Sequence, residues 1–191
     1  MPRASKKQNE IDQNNVMDVL LRDPLCTVDS IAEKCSLSTQ QVYRILRDFE
    51  EKEIIYGKPM MINLEKVGKK RFIIMAKRSG TAPDTNSLDF SLHTVEMLKK
   101  IRGNKLDIIP EDDYTCSGAY DMVTVFLADS SLDALMYLDL LRSVSNNYFS
   151  RFDLSEVMYT TRKCMVPTPE IRSFVDYISE LSVYSEQYKH P

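Results

Sequence analysis

Residues 27–50 read TVDSIAEKCSLSTQQVYRILRDFE, and the way this stretch divides decides the fold of the N-terminal third. Thr27 can accept a hydrogen bond from a free backbone N–H, so it caps a helix that starts at Val28 and buries Ile31 and Ala32. That helix is short and ends near Cys35. Ser36-Leu37-Ser38 makes a turn. Ser38 then caps the next helix, and Gln41, three residues on, completes a capping box. Val42, Ile45, Leu46 and Phe49 recur at helical spacing, so this helix runs to about Glu50 with one apolar stripe. Upstream, Ile11, Val16, Leu20 and Leu21 predict a first helix over residues 10–22, which Asp23-Pro24 stops. Downstream, Ile54-Ile55-Tyr56-Gly57-Lys58-Pro59 reads as a strand and turn. Met60-Met61-Ile62-Asn63-Leu64 reads as the return strand of a wing or as a hinge strand. Residues 1–8, MPRASKKQ, are polar and read as a frayed end or a basic arm.

Two short helices joined by a tight turn form a helix-turn-helix, whose second helix enters the major groove of DNA. The third helix suits that task. Away from its apolar stripe it carries Thr39, Gln40, Gln41, Tyr43, Arg44 and Arg47. Glutamine can bond adenine, arginine can bond guanine, and hydroxyls can reach phosphate. The starts of the second and third helices, at Thr27 and Ser38, offer free N–H groups to a phosphate. Charge is close to balanced here: residues 1–60 hold nine Lys/Arg against ten Asp/Glu. The acids Asp48, Glu50, Glu51 and Glu53 gather at the far end of the third helix. A solvated protein-binding module of the same helical spacing is the competing reading of this segment.

The rest of the chain alternates strand and helix. Strands are expected at Arg71–Lys77, near Leu106–Cys116, at Tyr120–Ala128 and at Phe152–Lys163. A polar loop is expected over residues 79–89. Helices are expected at Phe90–Ile101 and from a cap at Asp129 or Ser130 through Arg142. Strand, helix, strand, strand, helix, strand is the ferredoxin-like βαββαβ unit, an antiparallel sheet with its helices on one face. A final helix is expected from Thr168-Pro169, with Ile171, Phe174, Val175, Ile178 and Leu181 on one face. The fold class is therefore α+β, divided as 1–62, a winged helix-turn-helix; 63–166, the ferredoxin-like domain; and 167–191, a helical extension. The strands are apolar on both faces. Met122 and Phe126 oppose Val123, Val125 and Leu127, while Phe72 and Ile74 oppose Ile73 and Met75. At about 25 cal/mol per Å2, leaving the second face wet would sacrifice several kcal/mol. A symmetric partner sheet is the expected cover, and the C-terminal helix is the alternative.

Over its 191 residues the chain is 43% hydrophobic and 28% charged, with a net charge of −3, an ordinary globular composition that excludes a protein coating nucleic acid by bulk charge. The four cysteines, Cys26, Cys35, Cys116 and Cys164, form no C-x-x-C pair and are expected to be reduced and buried. No metal or other cofactor is expected. The absence of an apolar leader-like run or membrane-length stretch points to the cytoplasm.

Two stretches resemble the Lrp/AsnC (feast/famine) transcription regulators. The first is Ser30 to Ser38, with Val42-Tyr43-Arg44-Ile45-Leu46 and Phe49-Glu50 through Ile54-Ile55. The second is Gly118-Ala119-Tyr120-Asp121 followed by Met122-Val123-Thr124-Val125, similar to that family's G-x-Y-D strand. Gly68 also fits. Cys35 and Glu53 stand where glycines are usual, and the tail after Pro167 is an addition. The resemblance implies double-stranded DNA as a partner, a homodimer that can build higher oligomers, and an effector that is commonly an amino acid. It places that effector near Ser117, Gly118, Tyr120 and Asp121. An enzyme is not expected. The sirohaem decarboxylases, which share this fold, would call for a Trp-containing signature and histidines, whereas this chain has no Trp and only two His. A ligand-sensing or scaffold protein that has lost DNA contact is the other alternative.

Overall fold

The computed structural model describes residues 6–80, 106–145, 148–170 and 172–187. The chain falls into two compact units, Met1–Ile62 together with Thr160–Pro191, and Asn63–Tyr159. In the first, helix α1 (Lys6–Arg22) precedes α2 (Val28–Cys35) and α3 (Thr39–Glu51). Their contact is a small apolar core of Val16, Ile31, Ala32, Val42, Ile45 and Phe49, with Leu20, Leu37 and Leu46 packed around it. Of the residues expected to mark the buried side of α1, Val16 is fully buried, whereas Ile11 and Leu21 are exposed. The 3.6-residue period placed them near the right face, but the packed part of α1 centres on Val16, with Met17, Val19 and Leu20 beside it.

The turn between α2 and α3 departs from expectation in one detail. Cys35 is the last helical residue, and the left-handed backbone falls on Ser36, with φ 54°. Ser36 closes α2 by donating its N–H toward Ala32 and Glu33, the ordinary way a helix end satisfies its carbonyls. Glu53 likewise takes φ 56° after α3, and a non-glycine residue there carries strain on the order of 1–2 kcal/mol.

The strand pair expected over residues 54–64 is not formed; residues 55–63 have no regular structure. The N–H groups of Ile54 and Ile55 both return to the Phe49 carbonyl, at 2.9 and 3.2 Å. Those donors finish α3 rather than start a ladder, and Pro59 has no N–H to offer.

The second unit opens with a single 3-10 turn at Glu65–Val67, closed by Gly68 at φ 69°, a conformation glycine adopts without strain. Strands β1 (Lys70–Arg78), β2 (Ile109–Thr115), β3 (Met122–Ala128) and β4 (Phe149–Val157) form one antiparallel sheet in the order β2-β3-β1-β4. Helix α4 (Ser131–Val144) connects β3 to β4 and is capped by Ser130. This is the ferredoxin-like order. The helix expected at Phe90–Ile101 and most of the loop expected at 79–89 lie outside the described residues.

One face of the sheet and the inner side of α4 make the second core. Phe72, Ile74, Phe126 and Ala128 meet Ala134, Tyr137, Leu138 and Leu141. Phe126 stacks on Phe72 at 5.6 Å between ring centres and meets Tyr137 edge-on at 4.7 Å. On the opposite face the β1–β3 register brings Ile73 beside Val125 and Met75 beside Val123. All four are half-buried, whereas Phe72, Ile74 and Phe126 on the α4 side are fully buried.

Three further expectations are corrected. The strand expected to run to Lys163 ends at Val157, which pairs with Arg71 near the start of β1. Beyond it Arg162–Lys163 (β5) and Val166–Pro167 (β6) form a separate hairpin around Cys164 and Met165, both left-handed with φ 45° and 65°. The last helix, α5, begins at Phe174 rather than at Thr168. Thr168 donates its N–H to the Thr161 carbonyl at 3.1 Å, which seals the hairpin instead of capping a helix. The capping is done by Ser173 and Asp176, whose carboxylate accepts from the Ser173 N–H and hydroxyl at 2.6 and 2.8 Å. Cys164 is exposed, contrary to the expected burial, and the other three thiols are half-buried.

Candidate nucleic-acid interface and ligand turn

The candidate reading helix is α3, and its residues divide by what they already touch. Ser38 and Gln41 are occupied with each other. The Ser38 hydroxyl accepts from the Gln41 N–H at 3.3 Å, and the Gln41 side-chain oxygen accepts from the Ser38 N–H and hydroxyl at 2.9 and 2.8 Å. That is the reciprocal cap expected from the sequence. Thr39 donates to Asp29 of α2 at 3.3 Å and so braces the two helices. Thr27 accepts from the Ser30 N–H at 3.3 Å, capping α2. Arg47 pairs with Glu51 one turn on at 3.0 Å, an exposed pair worth at most about 1 kcal/mol.

Gln40, Tyr43 and Arg44 remain. Each is exposed, and none has a hydrogen bond or ion pair among the described residues. With Arg47 they follow the spacing i, i+3, i+4, i+7, which places them on one face. Val42, Ile45 and Phe49 occupy the opposite face. Asp48 anchors α3 to α1 by accepting from the Gln13 amide at 2.7 Å, and it also pairs with Lys52. The acids near the end of the helix are thus partly spent: Asp48 on Lys52, Glu50 on Lys58 at 2.6 Å, Glu51 on Arg47.

The second candidate site is the turn between β2 and β3. Gly118 takes φ 145°, and a Cβ built there would meet nothing within 4 Å. Its carbonyl accepts from the Lys77 ammonium at 2.9 Å. Asp121 accepts from the Arg78 N–H at 3.0 Å and pairs with the Lys77 and Arg78 side chains at 3.1 and 3.2 Å. The Arg78 amide, helped by both cations, holds the Asp121 carboxyl below the ordinary carboxylate range against a weaker effect of partial burial. Tyr120 donates to Asp153 at 2.7 Å, and Arg151 pairs with the same carboxylate at 2.8 Å. The Tyr120 hydroxyl and then Arg151 lower the Asp153 carboxyl, and the same hydrogen bond raises the Tyr120 phenol. Of the four residues expected here, Tyr120 and Asp121 are bound into this network, Gly118 lends its carbonyl, and Ser117 lies in the bend beside it.

Lys77, Arg78, Arg151 and Asp153 were not singled out from the sequence. They come from β1 and β4 and converge only through strand register, which sets Lys77 opposite Arg151 and Met75 opposite Asp153. Charge at the end of an alternating strand, as in Ala76-Lys77-Arg78, is the signal that could have marked them. Among the described residues no cluster of His, Cys, Asp or Glu could hold a metal ion, and no helix is long and apolar enough to cross a membrane.

Residues 13–56 match the family model described as winged helix-turn-helix DNA-binding. No curated protein matches the chain. Among solved structures, the chain is similar to an AsnC family transcriptional regulator from Agrobacterium tumefaciens, with a TM-score of 0.51 and 17% identity over 93% of this chain and 99% of that one. It is also similar to the transcriptional regulator NMB0573 of Neisseria meningitidis, solved as a complex with L-Met, with a TM-score of 0.54 and 12% identity over 80% of this chain and 91% of that one. The chain therefore carries a winged helix-turn-helix DNA-binding domain on an α+β fold. The likeness to the Lrp/AsnC regulators that its sequence carries is met in the fold it shares with the AsnC family structure.

Proposed function

We propose that the protein is a cytoplasmic, sequence-specific DNA-binding transcription regulator that acts as a dimer and responds to a small effector. The observation that carries this reading is the exposed face of α3. A helix-turn-helix leaves Gln40, Tyr43 and Arg44 without internal partners on the side away from its core. Polar side chains held out on a rigid helix suit base edges in a major groove.

In this reading residues 1–62 bind double-stranded DNA, residues 63–166 dimerise and bind the effector, and residues 167–191 are an added extension. The half-buried face of Ile73, Met75, Val123 and Val125 supports dimerisation. A second copy laid on it by a two-fold axis would cover the same residues on both sheets. The effector reading rests on the turn at Ser117, Gly118, Tyr120 and Asp121, where carboxylates and cations sit side by side around open space at Gly118. Such a set matches the two charges of an amino acid, and an amino acid is what NMB0573 holds in its complex. An effector that prefers one assembly of dimers would shift the spacing of the DNA-reading helices.

The test is a gel-shift with promoter and random duplexes over a salt series, with and without amino acids. Binding that weakens steeply with salt is expected, because phosphate contacts release counterions. No shift even at low salt would favour a scaffold without DNA contact.

A further inference from the structure

Resting on the reading of α3 as a DNA-contacting helix, we infer a division of labour within it: Gln40 and Arg44 select bases, Tyr43 presents its ring beside those bases, and Ser38, Thr39 and Gln41 only position the helix. The six residues are of similar polarity, so sequence alone ranks them equally. The structure separates them. The Gln41 amide oxygen already accepts two hydrogen bonds from Ser38, so turning it to a base would break the cap that holds the helix start. Thr39 is held by Asp29. Arg47 is paired with Glu51, so unlike Gln40 and Arg44 it already has a partner within the helix.

Gln40 and Arg44 carry no such ties. Glutamine is matched bidentately to the N6 and N7 edge of adenine, and arginine to O6 and N7 of guanine. The two lie four residues apart, about 6 Å along a helix. Residues one turn apart on a groove-reading helix meet neighbouring bases, so the preferred half-site carries an adenine and a guanine close together. Tyr43, 60% exposed on the same face, presents an aromatic ring that suits a thymine methyl beside those bases.

Selection from a randomised duplex pool, read by sequencing, tests this with the full-length protein and the variants Arg44→Gln, Arg44→Ala, Gln40→Ala and Gln41→Ala. The three replaced positions lie outside the apolar core of the helix-turn-helix, and circular dichroism confirms folding. The wild type should enrich half-sites carrying the adenine–guanine pair. Arg44→Gln should change the preferred base at the guanine position to adenine. Arg44→Ala and Gln40→Ala should each flatten one position, with a loss on the order of ten- to a hundred-fold against the best duplex. Gln41→Ala should lower the melting temperature and leave the preferred sequence unchanged. An enriched motif that is identical for the wild type and Arg44→Gln would overturn the assignment while leaving DNA binding intact. A Gln41→Ala variant that alters base preference would overturn the positioning role. A wild type that retains no duplex would defeat the DNA-binding reading itself and this inference with it.

Discussion

The exposed side of α3 and the turn at Gly118–Asp121 are both rich in polar side chains, yet they stand in opposite states. On α3, Gln40, Tyr43 and Arg44 have no partner within the described chain. At the turn, Asp121 already accepts from the Arg78 amide and pairs with two cations, while Tyr120 and Arg151 share Asp153. Unspent polar groups on a rigid element are ready for a partner outside the molecule, whereas spent ones hold the molecule's own shape. The contrast also bears on what Asp121 could offer an effector. As an isolated aspartate it looks like an acceptor for an effector's ammonium. In the sheet it first stitches β1 to the start of β3, and an effector would have to share it with Lys77 and Arg78.

The largest expected effect concerns the core that supports the turn. Phe126→Ala removes a ring lodged between Phe72 and Tyr137 and should cost about 3–5 kcal/mol in denaturant unfolding. A cost below that of a surface change would mean that the sheet is not packed as described. Next comes Asp121→Ala, which should lower the melting temperature at neutral pH. Because the folded carboxyl sits below its usual value, its stabilising contribution is complete above the unfolded pKa, about 3.9. It is lost as pH falls through the lower folded value. The melting curves of wild type and variant should therefore converge in acid. A gap that does not narrow at all as pH falls below the unfolded value, about 3.9, would remove the ion pairs as its cause.

Smaller effects test the helix-turn-helix. Gln41→Ala breaks half of the capping box at Ser38 and should cost about 1 kcal/mol. Glu53→Gly relieves the left-handed backbone after α3 and should raise stability by somewhat less than 1 kcal/mol, since the unfolded chain also gains freedom. Thermal unfolding checks both, and destabilisation by Glu53→Gly would show that its side chain contributes more than its backbone costs.

How much of this was legible in the sequence follows the range of the interactions. The caps at Thr27, Ser38 and Ser130 and the stripe of Val42, Ile45 and Phe49 are local patterns, and they appear where expected. The strand pair after α3 was not foreseen correctly, because apolar composition at Ile54-Ile55 cannot reveal that both N–H groups return to Phe49. The start of α5 was misplaced for a similar reason: Thr168-Pro169 looks like a helix start, but Thr168 bonds back to Thr161 across the hairpin. At the turn, Lys77, Arg151 and Asp153 were invisible because only the β1–β4 register brings them together. On α3, the residue types were read from the sequence, but which of them are free could be seen only once Gln41, Thr39 and Arg47 were found engaged.

The most direct measurement of the central claim is the equilibrium affinity of Arg44→Ala for a duplex selected by the wild type, taken beside its melting temperature. Because Arg44 stands outside every internal bond among the described residues, affinity should fall by about 1–3 kcal/mol while the melting temperature stays within a degree or so of wild type. An unchanged affinity with a lowered melting temperature would show that Arg44 supports the fold, and that the exposed face of α3 is not where this protein meets DNA.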